Sequence, residues 1–271
     1  TPPRMLREVQ AQQSFNAGVF NGALTPIKDL GTSVKSIVGT ALSIYKFGQD
    51  STDETSGWLS WSTDVDVARG QINGDTEEWT FYTGDGYPKA IRAGYLNSPI
   101  PMGLLPPTLA LSLSLGPNPP DAASLTQETR VYTYTYVNKV GAREVESSPA
   151  PATLSSDVYP SQTVTLTGFS APSSGYAATH VRIYRSTAGL YLFVAEITLA
   201  VAIGSGLIDD VDPENLAEEL PSLSWLAPPD NLAGLTNLPN GNMAGFAGRD
   251  VYFCEPYVPH AWPDAYRQTL D

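Results

Sequence analysis

The sequence has one cysteine, Cys254, so no disulfide can form within the chain and no cysteine-rich zinc site is possible. It has two histidines, His180 and His260, which leaves little material for histidine-based catalysis or metal ligation. No apolar run approaches the roughly 18 residues that cross a bilayer as a helix, so no transmembrane segment is expected. Charge is sparse as well: 16% of residues are Asp, Glu, Lys or Arg, and the balance is −13. No two Lys or Arg residues are adjacent. A surface that tracks nucleic-acid phosphates needs clustered cations, so specific nucleic-acid recognition is not expected. An acidic wall beside passing DNA remains compatible with this balance, because it repels the polymer instead of gripping it.

Core-forming residues are plentiful. In 271 residues, 42% are hydrophobic, with 14 Tyr, 8 Phe and 5 Trp. The 23 Gly and 23 Pro predict many turns and few long helices. Three parts are expected. Residues 1–107 read as a β-rich platform region. It has an apolar alternation near 15–24, strand-like runs at 36–47, 58–68 and 76–83, and a proline-rich exit. Residues 108–224 carry the clearest pattern. Tyr132, Tyr134 and Tyr136 alternate with Val131, Thr133, Thr135 and Val137, which is the period of a strand. Further strands are expected at 162–169, 180–185, 191–197 and 206–211. Val181 and Ile183 should point into a core, flanked by Arg182 and Arg185. Short strands at this spacing suggest a β-sandwich. Residues 225–271 read as a C-terminal β-hairpin segment, with strands at 243–247 and 251–254.

Candidate chemistry is thin, and no catalytic, cofactor or metal residue is assigned. His260 sits among prolines and aromatics without a nucleophile-elbow pattern, so packing is the better reading. His180 opens a strand and reads as an edge residue. Asp64 and Asp66 share strand parity, and Asp209, Asp210 and Asp212 cluster at a strand end. Paired carboxylates serve glycoside hydrolysis or calcium binding when they converge. At turns they are more often solvated or capping, and the calcium-loop spacing is absent. Gly84-Asp85-Gly86 lacks the Gly-Lys-Ser/Thr ending of a phosphate loop. Tyr132, Tyr134 and Tyr136 read as a core face before a platform for sugars or bases. Cys254 reads as buried and inert.

Two stretches carry a resemblance. Residues 131–136, Glu146-Ser147-Ser148-Pro149, 164–167, His180-Val181-Arg182-Ile183-Tyr184-Arg185-Ser186 and Ile208-Asp209-Asp210 resemble a fibronectin type III-like domain of the kind inserted into phage virion proteins. The flanks are similar to a family of phage and prophage tail proteins. The matching residues are Asn16-Ala17-Gly18, Gly22-Ala23-Leu24-Thr25-Pro26, Thr83-Gly84-Asp85-Gly86-Tyr87-Pro88-Lys89, residues 238–246 and 251–257, and Pro259-His260-Ala261-Trp262-Pro263. The resemblance implies an all-β chain: a fibronectin/immunoglobulin-like β-sandwich inserted in a second β-rich, propeller- or platform-like region. It implies a non-enzymatic subunit of a tail tube end, nozzle or fibre-attachment point. Such a subunit would form a homo-oligomeric ring with other tail proteins, be assembled in the host cytoplasm and reside in the virion. The alternatives are a receptor module that binds host-surface glycan and an accessory module of a secreted polysaccharide-degrading enzyme. An isolated hairpin is marginal in water, so the aromatics of the last segment need a cover. Phe246, Tyr252, Phe253, Tyr257, Trp262 and Tyr266 are the expected interface residues, covered in part by the N-terminal region and in part by a neighbour.

Overall fold

The structure, a computed structural model, describes residues 17–20, 23–26, 33, 35–37, 39–48, 56–216 and 218–270. The alternation expected near 15–24 lies partly outside these residues. Within it, Ala17–Phe20 pairs antiparallel with Ala23–Pro26. The chain is mostly β, in antiparallel sheets. Among the described residues the one α-helix is Leu199–Ser205, opened by the Thr198 hydroxyl, which accepts from the Val201 N–H.

In the middle of the chain, a four-stranded sheet runs Arg143–Glu146, Tyr132–Val140, His180–Thr187, Leu190–Thr198. A three-stranded sheet runs Leu207–Asp209, Val164–Thr167, Ser112–Leu115. Their facing sides share one core that includes Tyr132, Tyr134, Tyr136, Val164, Leu166, Val181 and Ile183. The register explains the set. Tyr134 lies opposite Ile183 and Tyr136 opposite Val181, and opposed residues on antiparallel strands point to the same face. Each tyrosine hydroxyl finds a partner at the rim: Tyr132 donates to Asp209 Oδ2 at 2.6 Å and Tyr136 to the Ser170 carbonyl at 2.9 Å, while Tyr134 bonds Ser170 Oγ at 3.0 Å.

Arg185 corrects the sequence expectation. It does not flank the core but lies inside it, 1% exposed, because it has the parity of Val181 and Ile183 and sits opposite Tyr132. Its charge is met there by Asp209. Arg182 has the opposite parity and lies on the outer face. That face is covered too. Thr133 Oγ1 donates to the Ala150 carbonyl, and Glu146, on the same face, accepts from Thr135, Tyr184 and Ser222 Oγ. Thr133, Thr135 and Val137 are therefore buried as fully as the tyrosines.

The flanking parts of the chain stack in layers. Asp66–Arg69, Thr80–Thr83, Lys89–Ile91 and Ile100–Pro101 form one four-stranded meander. Ala233–Asn237, Met243–Ala247, Asp250–Phe253 and Gln268–Thr269 form another. Their first strands lie side by side. Gly234 N–H donates to Asp66 Oδ2 at 2.7 Å, and Asn237 Nδ2 to the Arg69 carbonyl at 2.8 Å. Ala68, Trp79, Phe81, Ala90 and Met102 pack between the meanders against Leu235, Met243, Cys254 and Trp262. On the other side of the first meander, Val67, Tyr82 and Ile91 pack with Tyr45, Leu59 and Trp61 of the hairpin Ser43–Lys46 and Trp58–Trp61. Thr80–Thr83 is thus buried on both faces.

Candidate functional site

The middle sheets and the flanking layers meet at a hairpin tip. Val140 pairs with Arg143 across Gly141 and Ala142, and Gly141 takes a positive φ of 61°, a turn conformation that glycine adopts without strain. The tip docks on the first meander. Ala142 N–H donates to Glu77 Oε2 at 2.8 Å, and Val140 packs on the core between the meanders. Glu77 is held in place by an ion pair with Arg92 and by the Trp79 indole N–H at 3.1 Å. The hydrogen bond from Ala142 is the largest influence that keeps the Glu77 pKa below the usual carboxylate value.

Beside this junction lies a cleft of about 680 Å³. Residues 70–76 form one lip. Asp75 shapes it, accepting from the N–H groups of Glu77 and Trp79, both at 3.0 Å. Arg143, Glu144, Glu146 and Arg182 line the cleft as well, with Pro221, Trp225 and residues 257–260.

Glu146 is 4% exposed but saturated with partners. Its Oε1 accepts from Thr135 and Tyr184, both at 2.8 Å, and its Oε2 from Arg182 Nη1 at 2.9 Å. Burial and the Glu146 charge push the Tyr184 hydroxyl pKa up. Burial pulls Arg182 down, but the carboxylates of Glu146 and Glu144 outweigh it and its pKa rises. Arg143 is different. Its Nη2 donates to the Met102 carbonyl at 2.6 Å, while Nε and Nη1 are buried with no acceptor among the described residues. The guanidinium carbon lies 5.0 Å from the Trp79 ring centre and 5.1 Å from that of Phe81. Burial lowers its pKa to about 9.

His260 is 8% exposed, edge-on to Trp225. Its Nε2 accepts from Glu146 N–H at 3.4 Å. Burial, then the Arg143 charge, lowers its pKa to about 3. The folded ring therefore stays neutral while an unfolded histidine protonates near 6.5. Protons favour the unfolded chain in that window, so stability should fall as pH drops from about 6.5 toward 3. His260→Gln should flatten the fall between pH 7 and pH 5, read from urea midpoints at each pH. An unchanged slope would place the effect elsewhere.

The other sequence candidates scatter. His180 bonds Thr179 Oγ1 at 2.8 Å. Asp64 is exposed and outside any strand, while Asp66 binds Gly234, so the two are not a facing acid pair. Asp209 is engaged by Tyr132 and Arg185, and Asp210 is exposed. Among the described residues no group of three or more His, Cys, Asp or Glu is placed to hold a metal ion. No helix among them is long and apolar enough to cross a membrane.

The expected interface residues divide. Phe246 pairs with Val251 and Ala244 with Phe253, so these four share the outer face of the last meander. Phe246 is 50% exposed and Phe253 half-buried. Tyr252 has the opposite parity and packs toward the core with Met243 and Cys254. Trp262 is 1% exposed, covered by this chain itself and unavailable to a neighbour, which corrects its place among the interface residues. Tyr257 and Tyr266 are exposed, Tyr257 at the cleft and Tyr266 bonded to Glu255. Arg143, Glu146 and Trp225 were not among the sequence candidates. The local signal is the placing of charged Arg143 and Glu146 opposite Val140 and Val137 of the neighbouring strand. No protein-family description matches the chain, and no curated protein is similar to it.

Proposed function

We propose that the chain is a structural subunit of a phage tail and acts by binding geometry, not by reaction chemistry. The observation that carries this reading is the layering of the flanking regions. A hairpin and two four-stranded meanders stack face to face, with first strands adjacent, in the manner of consecutive propeller blades. Propellers take roughly four to eight blades, and the described residues supply two full meanders. Among the described residues, the outer face of the last meander is left with Phe246 exposed and Val251 and Phe253 half-buried. A further blade-like layer, from a second copy in a ring or from a neighbouring tail protein, is the cover proposed for that face. The middle sheets, paired around one core, support a fibronectin-like sandwich inserted between the two meanders.

Sedimentation equilibrium of the intact chain tests this. Self-association is expected, and Phe246→Asp should weaken it roughly tenfold or more, as loss of a central aromatic does at an interface. Because Phe246 is half exposed, its thermal unfolding should change little. A chain that stays monomeric, with no binding to isolated tail proteins, would overturn the reading.

A further inference from the structure

We propose that the cleft beside Arg143 binds an acidic saccharide, with a uronic-acid carboxylate held by the Arg143 charge and sugar rings against Trp225 and Tyr257. This inference is independent of the tail reading and rests on how charge is distributed in the chain. Acidic residues outnumber basic ones, 28 to 15. Accordingly Arg69, Arg92, Arg130, Arg182, Arg185 and Arg267 each have a carboxylate partner. Arg249 has none, but it is exposed and its Nε donates to the Leu270 carbonyl at 3.1 Å. Among the described arginines Arg143 is the exception: Nε and Nη1 shielded from solvent, no carboxylate, and a cleft alongside.

A buried charge without a partner is costly, and an unsatisfied buried donor in a native fold calls for a missing acceptor. The carboxylates that line the cleft do not fill the role, and Asp75 is taken by the N–H groups of Glu77 and Trp79. Glu146 is held by Arg182, Thr135 and Tyr184, and Glu144 by Arg182 at 2.5 Å. The aromatic contacts from Trp79 and Phe81 lessen the cost but provide no acceptor. Nε and Nη1 have almost no accessible surface and Nη2 is given to Met102, so the pull on an anion in the cleft comes from the Arg143 charge acting across the wall, where it is screened less than in water.

The remaining lining favours a saccharide as the carrier of that anion. The cleft's volume lies in the range of small-molecule sites. The Tyr257 ring is exposed where it is not packed on Gly241, and the Trp225 ring is half-buried beside His260, which leaves part of each to meet the C–H face of a pyranose. Asn73 is exposed on the lip, and the neutral His260 ring lies on the wall, both able to hydrogen-bond hydroxyls. The lip at residues 72–74 is open to solvent, which suits a segment of a longer chain.

The test uses the intact protein, trigalacturonate as the acidic probe and maltotriose as the neutral one, with tryptophan fluorescence and calorimetry as readouts. Saturable binding of trigalacturonate alone is expected, with a change in tryptophan emission. Arg143→Gln should weaken it about tenfold or more, the scale of a charge-assisted contact. Tyr257→Ser, at an exposed position, should weaken it while leaving thermal unfolding unchanged, so a misfolded Arg143 variant does not leave the question open. Absence of binding at millimolar probe, equal binding of maltotriose, or full affinity in both variants would overturn the proposal. None of these outcomes bears on self-association, which is measured separately.

Discussion

Asp209→Ala should destabilise the protein by about 3–5 kcal/mol, the scale for removing one partner of a buried ion pair. Asp209 is fully buried. Its Oδ2 accepts from Tyr132 at 2.6 Å and from Arg185 Nη1 at 2.7 Å, and Arg130 Nη1 lies 3.9 Å away. Its Oδ1 accepts from Val211 N–H at 3.0 Å. The substitution leaves Arg185 charged inside the core with its Nη2 already lacking a partner. It also frees the Tyr132 hydroxyl, while Arg130 keeps Glu128 and the Pro160 carbonyl. The neighbouring Asp210 is exposed, so Asp210→Ala should stay within about 0.5 kcal/mol. Urea unfolding of the two variants separates the cases. Similar small losses in both would mean that the Arg185 charge finds water or another acceptor.

That network also marks the limit of what was legible in the sequence. Alternation fixed which side Tyr132, Tyr134, Tyr136, Val181 and Ile183 face, because the period of a strand is local. The same counting places Arg185 with Val181 and Ile183. A charged side chain points instead to solvent, and the counter-ion that keeps it inside lies 24 residues later. Burial of Thr133 and Thr135 is hidden for the same reason: their hydroxyls bond the Ala150 carbonyl and Glu146, and Ser222 joins Glu146 from far along the chain. The last meander repeats the lesson. Ala247 pairs with Asp250, so Tyr252 and Phe253 must face opposite ways. Hydrophobicity alone grouped them as one interface. The cleft had no local pattern at all, since its walls come from residues 70–81, 142–146, 182 and 221–260. An arginine without a carboxylate becomes visible only when every other pairing is known.

Trp262 decides between the two readings of the C-terminal segment. If it were a contact for a neighbour, its removal would weaken assembly and leave the isolated chain as stable as before. Its surroundings argue otherwise. It is 1% exposed, its Nε1 donates to the Pro259 carbonyl at 2.9 Å, and its backbone N–H donates to the Leu226 carbonyl at 2.9 Å. The ring belongs to the core that joins Ala68, Trp79, Phe81 and Met102 to Leu235, Met243 and Cys254. Trp262→Ala removes a large side chain from between two sheets that are not continuous with each other. The site can close only if one meander shifts against the other, and the hydrogen bonds from Gly234 to Asp66 and from Asn237 to Arg69 oppose that shift. The expected loss is about 3–5 kcal/mol, as for large aromatic-to-alanine changes in cores. It should appear in urea unfolding at concentrations too low for self-association. Phe246→Asp should show the reverse pattern, with weakened association and near-normal unfolding. A Trp262→Ala chain that unfolds like the parent but no longer associates would return Trp262 to the interface and remove the core described between the meanders.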